Sequence, residues 1–191
     1  MSVFKNSIQT EVLEKMIKYE KIEPFTNGYL KTKLPKKLTE SLKDICLDRS
    51  PTIDDWDSYD FYTWDEPEIR ELNEIQVYMV KEYMNIYNVI KNSDKFNFRG
   101  WVNIRKDKSW HPPHNHSGSQ LVLNTYIGVP ENTSVTFMDP NPVLGDHGGT
   151  YHKIKPEEGT MIVTPSWWLH WTEPTYKNEN RISISTNVTI H

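Results

Sequence analysis

The sequence predicts a mainly β domain. The strands of its second half close as a sandwich or barrel, helices precede them, and one long helix supports the sheet. Three observations carry this. From about Phe96 onward, five short runs rich in β-branched and aromatic residues (98–105, 120–129, 134–138, 159–164 and 181–188) are separated by clusters of Pro, Gly, Asn and Asp. Before them, apolar residues recur every three to four positions from Ile69 to Ile90, the period of one helix face. At 191 residues the chain suits one core rather than two. The expectation is therefore a single domain over 1–191, with 1–95 as a helical support region and 96–191 as the barrel.

Taken in chain order, residues 28–35 read as a short strand that turns at Pro35. Leu38, Leu42, Ile45 and Cys46 then share one helix face. Residues 50–60 are acidic and aromatic without helical period, so they read as a loop. Asp65 and Pro67 stand where a cap and a first-turn proline belong. The long helix that follows carries Ile69, Leu72, Ile75, Met79, Val80, Tyr83, Ile86 and Ile90 in a one-sided stripe, which suits packing on a sheet. The Gly- and Pro-rich stretch 139–150 is a long loop of the kind that carries function at a barrel mouth. With 50–65 it is expected to shape access.

Composition narrows the function classes. Lys+Arg 22 against Asp+Glu 26 leaves a net charge of −4, without the overall basic footprint that drives non-specific nucleic-acid binding. Nucleic acid is not an expected partner. The hydrophobic share of 36% alone would allow disorder, but the aromatic share of 12% argues against it. No apolar run reaches the length of a membrane span, and the first residues lack the apolar core of a signal peptide. The single cysteine, Cys46, cannot form an internal disulfide. The expectation is a cytoplasmic protein; its oligomeric state is left open.

The chemistry concentrates in histidines. His111, His114 and His116 lie together in Trp110-His111-Pro112-Pro113-His114-Asn115-His116, and His170 follows far downstream, directly after a β run. In an extended segment residues i and i+2 face the same way, so His114 and His116 could present two imidazoles to one ion. His170 would supply the third. Such a set leaves the opposite side of an octahedral metal open for substrate and O2. A pairing of His111 with His114 stays open, although i and i+3 do not share a strand face. Taken alone, the His-x-His pair also fits a surface loop beside two prolines.

Arg181 and Ser183 share a face of the last strand. A guanidinium and a hydroxyl so placed suit clamping a carboxylate. A surface arginine paired with Glu173 or Glu179 is the plainer alternative. Tyr126 and Asn124 also point the same way, either lining the same pocket or serving as interior barrel residues.

Read as an ordered set, Trp101-Val102-Asn103, His114-Asn115-His116, the strand ending in Tyr126, Phe137-Met138-Asp139-Pro140, the run 159–170 ending in His170, and Arg181-Ile182-Ser183 through Asn187 resemble the 2-oxoglutarate/Fe(II)-dependent oxygenases. The resemblance is to the bacterial and phage group related in core fold to prolyl hydroxylases, and it covers roughly 101–187. It implies a double-stranded β-helix, a jelly-roll or cupin-like barrel. It also implies Fe(II) on His114, His116 and His170 at the mouth, with 2-oxoglutarate as co-substrate. The distal carboxylate would rest on Arg181 and Ser183, with Tyr126 and Asn124 beside it. The implied activity is a dioxygenase that consumes O2, releases succinate and hydroxylates an unactivated C–H of a small-molecule or peptide substrate. Most of that superfamily has His-x-Asp; here His116 stands at the acidic position, and imidazole still suits iron. Two rival readings are a cupin-type metal-binding barrel with another activity, in which Arg181 has no role, and a non-catalytic binding module with weak iron affinity.

Overall fold

The computed structural model describes residues 7–25, 27–49, 61–89, 95–105, 108–140, 150–174 and 179–191. Residues 50–60 and 141–149, the larger part of the expected access loops 50–65 and 139–150, lie outside the described residues. Among the described residues there are three α-helices: α1 (Ser7–Met16), α2 (Lys36–Arg49) and α3 (Pro67–Tyr87). A 3-10 turn at Phe61–Thr63 precedes α3. The strands are β1 (Tyr19–Ile22), β2 (Tyr29–Lys33), β3 (Phe96–Arg105), β4 (His111–His114), β5 (Leu121–Gly128), β6 (Val135–Met138), β7 (Tyr151–Ile154), β8 (Thr160–Pro165), β9 (His170–Thr172) and β10 (Arg181–Ile190).

They form two antiparallel sheets, a larger one in the order β1-β2-β8-β5-β10-β3 and a smaller one in the order β4-β9-β6-β7. This is the mainly β jelly roll that the sequence predicts. The N-terminal half is not purely helical, because β1 and β2 extend the larger sheet, with Leu30 opposite Val163. The five elements that the apolar pattern did not mark are α1, β1, β4, β7 and β9. The strands among them have only three or four residues, too few for a period to show.

Strand alternation divides the larger sheet into two faces with different tasks. Val102 and Ile104 on β3, Leu121 and Leu123 on β5, and Ile182 and Ile184 on β10 join one core with Ile69, Leu72, Ile75, Met79, Val80 and Tyr83 of α3. Each such side chain contributes roughly 1.5–3 kcal/mol on full burial. Gln76, a long polar side chain in that interface, is buried and satisfied. Its amide donates to Thr186 Oγ1 of β10 at 3.3 Å, and its oxygen accepts from the Tyr62 hydroxyl.

Two details of α3 differ from the sequence reading. The N-cap is Glu66, with extended backbone, and Pro67 fills the first turn. Asp65 does not cap; it pairs with Arg70 instead. The helix ends at Tyr87, before the apolar period does, because Asn88 turns left-handed (φ 55°) and its N–H bonds the Met84 carbonyl. Ile90 lies outside the described residues. No helix among the described residues is long and apolar enough to cross a membrane.

Candidate metal centre

The residues that do not face α3 point toward the smaller sheet. In register, β10 sets Arg181 opposite Arg105, Ser183 opposite Asn103, Ser185 opposite Trp101 and Asn187 opposite Arg99 of β3. On its other side, Ser183 meets Tyr126 and Ser185 meets Asn124 of β5. A hydrogen-bonded chain crosses these three strands. Asn103 Nδ2 donates to Ser185 Oγ at 3.0 Å, and Ser185 Oγ donates to Asn124 Oδ1 at 2.9 Å. That direction leaves the Asn124 amide nitrogen as the group facing the cavity.

The histidines come from the smaller sheet. His114 on β4 lies directly opposite His170 on β9, and Phe137 of β6 flanks His170 on the other side. His116 stands just past β4, held by its backbone N–H to the Ser166 carbonyl at 2.9 Å. One potential ligand atom from each of His114, His116 and His170 falls within 4.8 Å of the others, and no carboxylate joins this group among the described residues. His116 and His170 are 7% and 4% exposed.

Each ring is oriented through its other nitrogen. His114 Nδ1 donates to the Pro112 carbonyl at 2.8 Å, His170 Nδ1 to the Trp168 carbonyl at 3.0 Å, and His116 Nδ1 to Asn187 Oδ1 at 2.8 Å. A carbonyl oxygen can only accept, so the ring proton sits on Nδ1 and Nε2 keeps its lone pair. Burial pushes all three rings below the ordinary histidine range. His116 falls to about 4 and His170 to about 3, with the neighbouring His114 as the next cause in both. His114 is lowered by burial, against the opposing Pro112 bond. The rings are therefore neutral at pH 7, the form that binds metal.

A test of fit follows from one distance. His116 Nε2 and His170 Nε2 are 3.3 Å apart, with ring planes only 3° from parallel. With both protons on Nδ1, two lone pairs face each other, and a cation between them relieves the repulsion. Adjacent ligands of an octahedral ion with bonds of about 2.1 Å sit about 3 Å apart. The donor set fits a divalent first-row metal.

The position of His111 is a correction. A register irregularity between His111 and His114 breaks the alternation of β4 at Pro112-Pro113, so this i, i+3 pair does share a side. Their rings stack at 3.9 Å between centroids, 19° from parallel. His111 nevertheless stays outside the group of three. It backs His114.

Behind the histidines lies a narrow inner cavity, open at its mouth. Its lining includes His114, His170, Tyr126, Asn124, Ser183 and Arg181. The structure thus brings together all seven residues singled out in the sequence, with His116 on the outer side of the histidine cluster. Arg181 is 3% exposed, not a surface residue. It donates to the Glu173 main-chain carbonyl at 2.9 Å, while the Glu173 carboxylate pairs with Lys153. Burial lowers its guanidinium to about 10, with the Tyr126 hydroxyl opposing the shift and Arg105 adding to it. Tyr126 is in turn raised by burial. Among the described residues no Asp or Glu lines the inner cavity.

Three site residues escaped the sequence reading. Asn187 was visible only as the end of a strand, and its bond to His116 depends on tertiary placement. Arg105 is 9% exposed and lines the inner cavity beside Arg181; only cross-strand register reveals it. Arg99 stands on the same face of β3, beyond Trp101. The one available signal was parity, since Arg99, Trp101, Asn103 and Arg105 alternate along one strand.

Residues 99–187 match the family model described as "Putative 2OG-Fe(II) oxygenase". No curated protein matches the chain by sequence. Among solved structures, the chain is similar to a Pseudomonas putida prolyl-4-hydroxylase, with TM-score 0.59 and 13% identity over 96% of this chain and 94% of that one. It is also similar to the non-heme alpha ketoglutarate dependent epimerase SnoN from nogalamycin biosynthesis (TM-score 0.60, 16% identity, 84% of this chain and 78% of that one). A third is HygX from Streptomyces hygroscopicus, solved with nickel and 2-oxoglutarate bound (TM-score 0.58, 12% identity, 97% of this chain and 87% of that one). At these identities the structural likeness speaks for the fold.

Proposed function

Through residues 99–187 the chain belongs to the 2-oxoglutarate/Fe(II)-dependent oxygenase superfamily, and from that premise we propose that His114, His116 and His170 hold the iron of a hydroxylase acting on a small-molecule or peptide substrate. The protein is an enzyme of this class, a dioxygenase, and its cofactors are Fe(II) and 2-oxoglutarate. Bound together, these supply O2 activation coupled to decarboxylation of the co-substrate to succinate.

The chain's own residues divide the remaining work. Pro112, Trp168 and Asn187 fix the three rings with Nε2 inward, so little reorganisation is needed when the ion binds. Arg181 receives the distal carboxylate of 2-oxoglutarate through its planar fork. Ser183 adds a hydroxyl bond, and the Asn124 amide and Tyr126 complete the wall of that cavity. Phe137 and Trp168, both fully buried beside His170, keep water from its inner side. On this reading the chemistry lies within 96–191, and α3 acts only as support.

The single observation that carries the proposal is the cavity itself, with neutral histidines at one end and, at the other, a buried Arg181 that meets no carboxylate among the described residues. The all-imidazole donor set also suits the rival cupin-type barrel, but that reading gives Arg181 no task. Succinate release from 2-oxoglutarate under Fe(II) and O2, measured against a panel of amino acids, peptides and small acids, tests the proposal. Release stimulated by one member is the expected result. Substrate oxidation without consumption of 2-oxoglutarate would favour the cupin reading.

A further inference from the structure

A second cavity lies on the outer side of the histidines. It is open to solvent and shares His111 and His114 with the inner one. Arg99, Trp101 and Asn187 line it together with His116. We propose that this outer cavity selects a substrate bearing a carboxylate, bound by Arg99, with a flat apolar portion laid against Trp101. The proposal rests on the oxygenase reading and names the substrate class of that site.

Three observations point the same way. First, Arg99 and Trp101 are i, i+2 on β3 and so share the site face, about 7 Å apart along the strand. The Trp101 ring stacks on His116, 5.7 Å between centroids and 28° from parallel. A planar group resting on Trp101 would lie beside a metal ligand. Second, the strand partner of Arg99 is Asn187, the residue that orients His116. The cation is one cross-strand step from the metal centre. Third, among the described residues no acidic side chain lines the outer cavity, and Arg99 makes no ion pair there.

The charge pattern separates two anion sites. Arg181 and Arg105 are buried in the inner cavity, where the co-substrate goes. Arg99 is exposed, so it stays hydrated when free and can pair bidentately with a carboxylate at modest desolvation cost. The histidine ligands add no negative charge, so an entering anion meets no fixed carboxylate among the described residues. A superfamily site with an aspartate ligand would repel it more.

The test is calorimetric titration of anaerobic, Mn(II)-loaded protein saturated with 2-oxoglutarate. The probes are matched pairs: phenylacetate and phenylacetamide, cinnamate and cinnamamide, N-benzoylglycine and its amide. At least one carboxylate should bind about fivefold or more tightly than its amide. Arg99→Gln should abolish that preference and Arg99→Lys retain part of it, while both keep wild-type affinity for 2-oxoglutarate. The proposal is overturned if no carboxylate binds, if the amides bind equally well, if Arg99→Gln keeps the preference, or if the carboxylate merely displaces 2-oxoglutarate. Failure of 2-oxoglutarate to bind the wild type would instead count against the oxygenase reading. The carboxylate–amide comparison in the metal-loaded protein would still decide the role of Arg99.

Discussion

The side-chain oxygen of Asn187 accepts the Nδ1 proton of His116 at 2.8 Å. This ties the last strand of the larger sheet to a ring whose two companions come from the smaller one. The same strand begins with Arg181. One extended segment therefore orients the His116 ring near one end and presents the buried Arg181 at the other.

Replacing Asn187 with Leu should leave the fold intact but free the His116 ring to rotate. Outer-shell partners of metal-bound histidines typically account for about 10–100-fold in metal affinity. Titration of the metal-free variant with Mn(II) or Fe(II) should show a loss in that range, with Asn187→Asp recovering much of it by restoring an acceptor. Unchanged affinity in Asn187→Leu would mean that His116 needs no anchor or is not a ligand.

Arg181 offers a second comparison. Removing the charged partner of a desolvated carboxylate costs about 2–5 kcal/mol. Arg181→Ala should therefore raise the dissociation constant of 2-oxoglutarate by roughly two orders of magnitude or more. Arg181→Lys keeps the charge without the fork and should fall between. Equal affinity in wild type and Arg181→Ala by calorimetry would place the carboxylate elsewhere.

Acid should weaken the metal-free protein earlier than carboxylate titration alone would. Folded His116 and His170 titrate near about 4 and about 3, against 6.5 for the ordinary side chain. Above pH 6.5 both folded and unfolded rings are neutral, so their contribution is fully present there. As pH falls from 6.5 toward 4, the unfolded chain takes up protons that the folded one refuses, and stability declines. Urea midpoints of metal-free protein should drop between pH 7.5 and 5, and a double variant His116→Gln, His170→Gln should drop less. A parallel decline in both proteins would contradict the buried, neutral state of these rings.

The supporting helix gives the contrasting case. Leu72 and Met79 are fully buried against the larger sheet, so Leu72→Asp or Met79→Asp would bury an unpaired charge and destabilise the fold strongly. Thermal melts should register this directly. Leu72→Ala, at about 2–5 kcal/mol, should lower the melting temperature without changing 2-oxoglutarate affinity in the protein that remains folded. Variants that melt like wild type yet lose turnover would make α3 part of the site.

Legibility in the sequence followed the length over which a physical pattern repeats. The stripe of α3 and the alternation of β3, β5, β8 and β10 extend over six residues or more, and their periods stand out. The strand carrying His114 has four residues, two of them proline, and its irregular register let His111 stack where alternation forbade it. His114, His116, His170 and Arg181 could be singled out because each lies in a local motif. Asn187, Arg105 and Arg99 could not, because what distinguishes them is the residue across the strand or across the sheets. The cap of α3 was off by one residue, since Glu66 and Asp65 offer the same chemistry and only the backbone turn separates them.

The central claim is that three imidazoles and one arginine hold an ion and its co-substrate in a single cavity. A crystal of the protein soaked anaerobically with Mn(II) and 2-oxoglutarate tests it most directly, through the anomalous signal of the metal. The account predicts one metal per chain, bound by Nε2 of His114, His116 and His170 at about 2.0–2.2 Å, with the far carboxylate of 2-oxoglutarate on Arg181. A metal bound through His111 in place of His116 would correct the ligand set. A metal elsewhere, or none between these rings, would contradict the account.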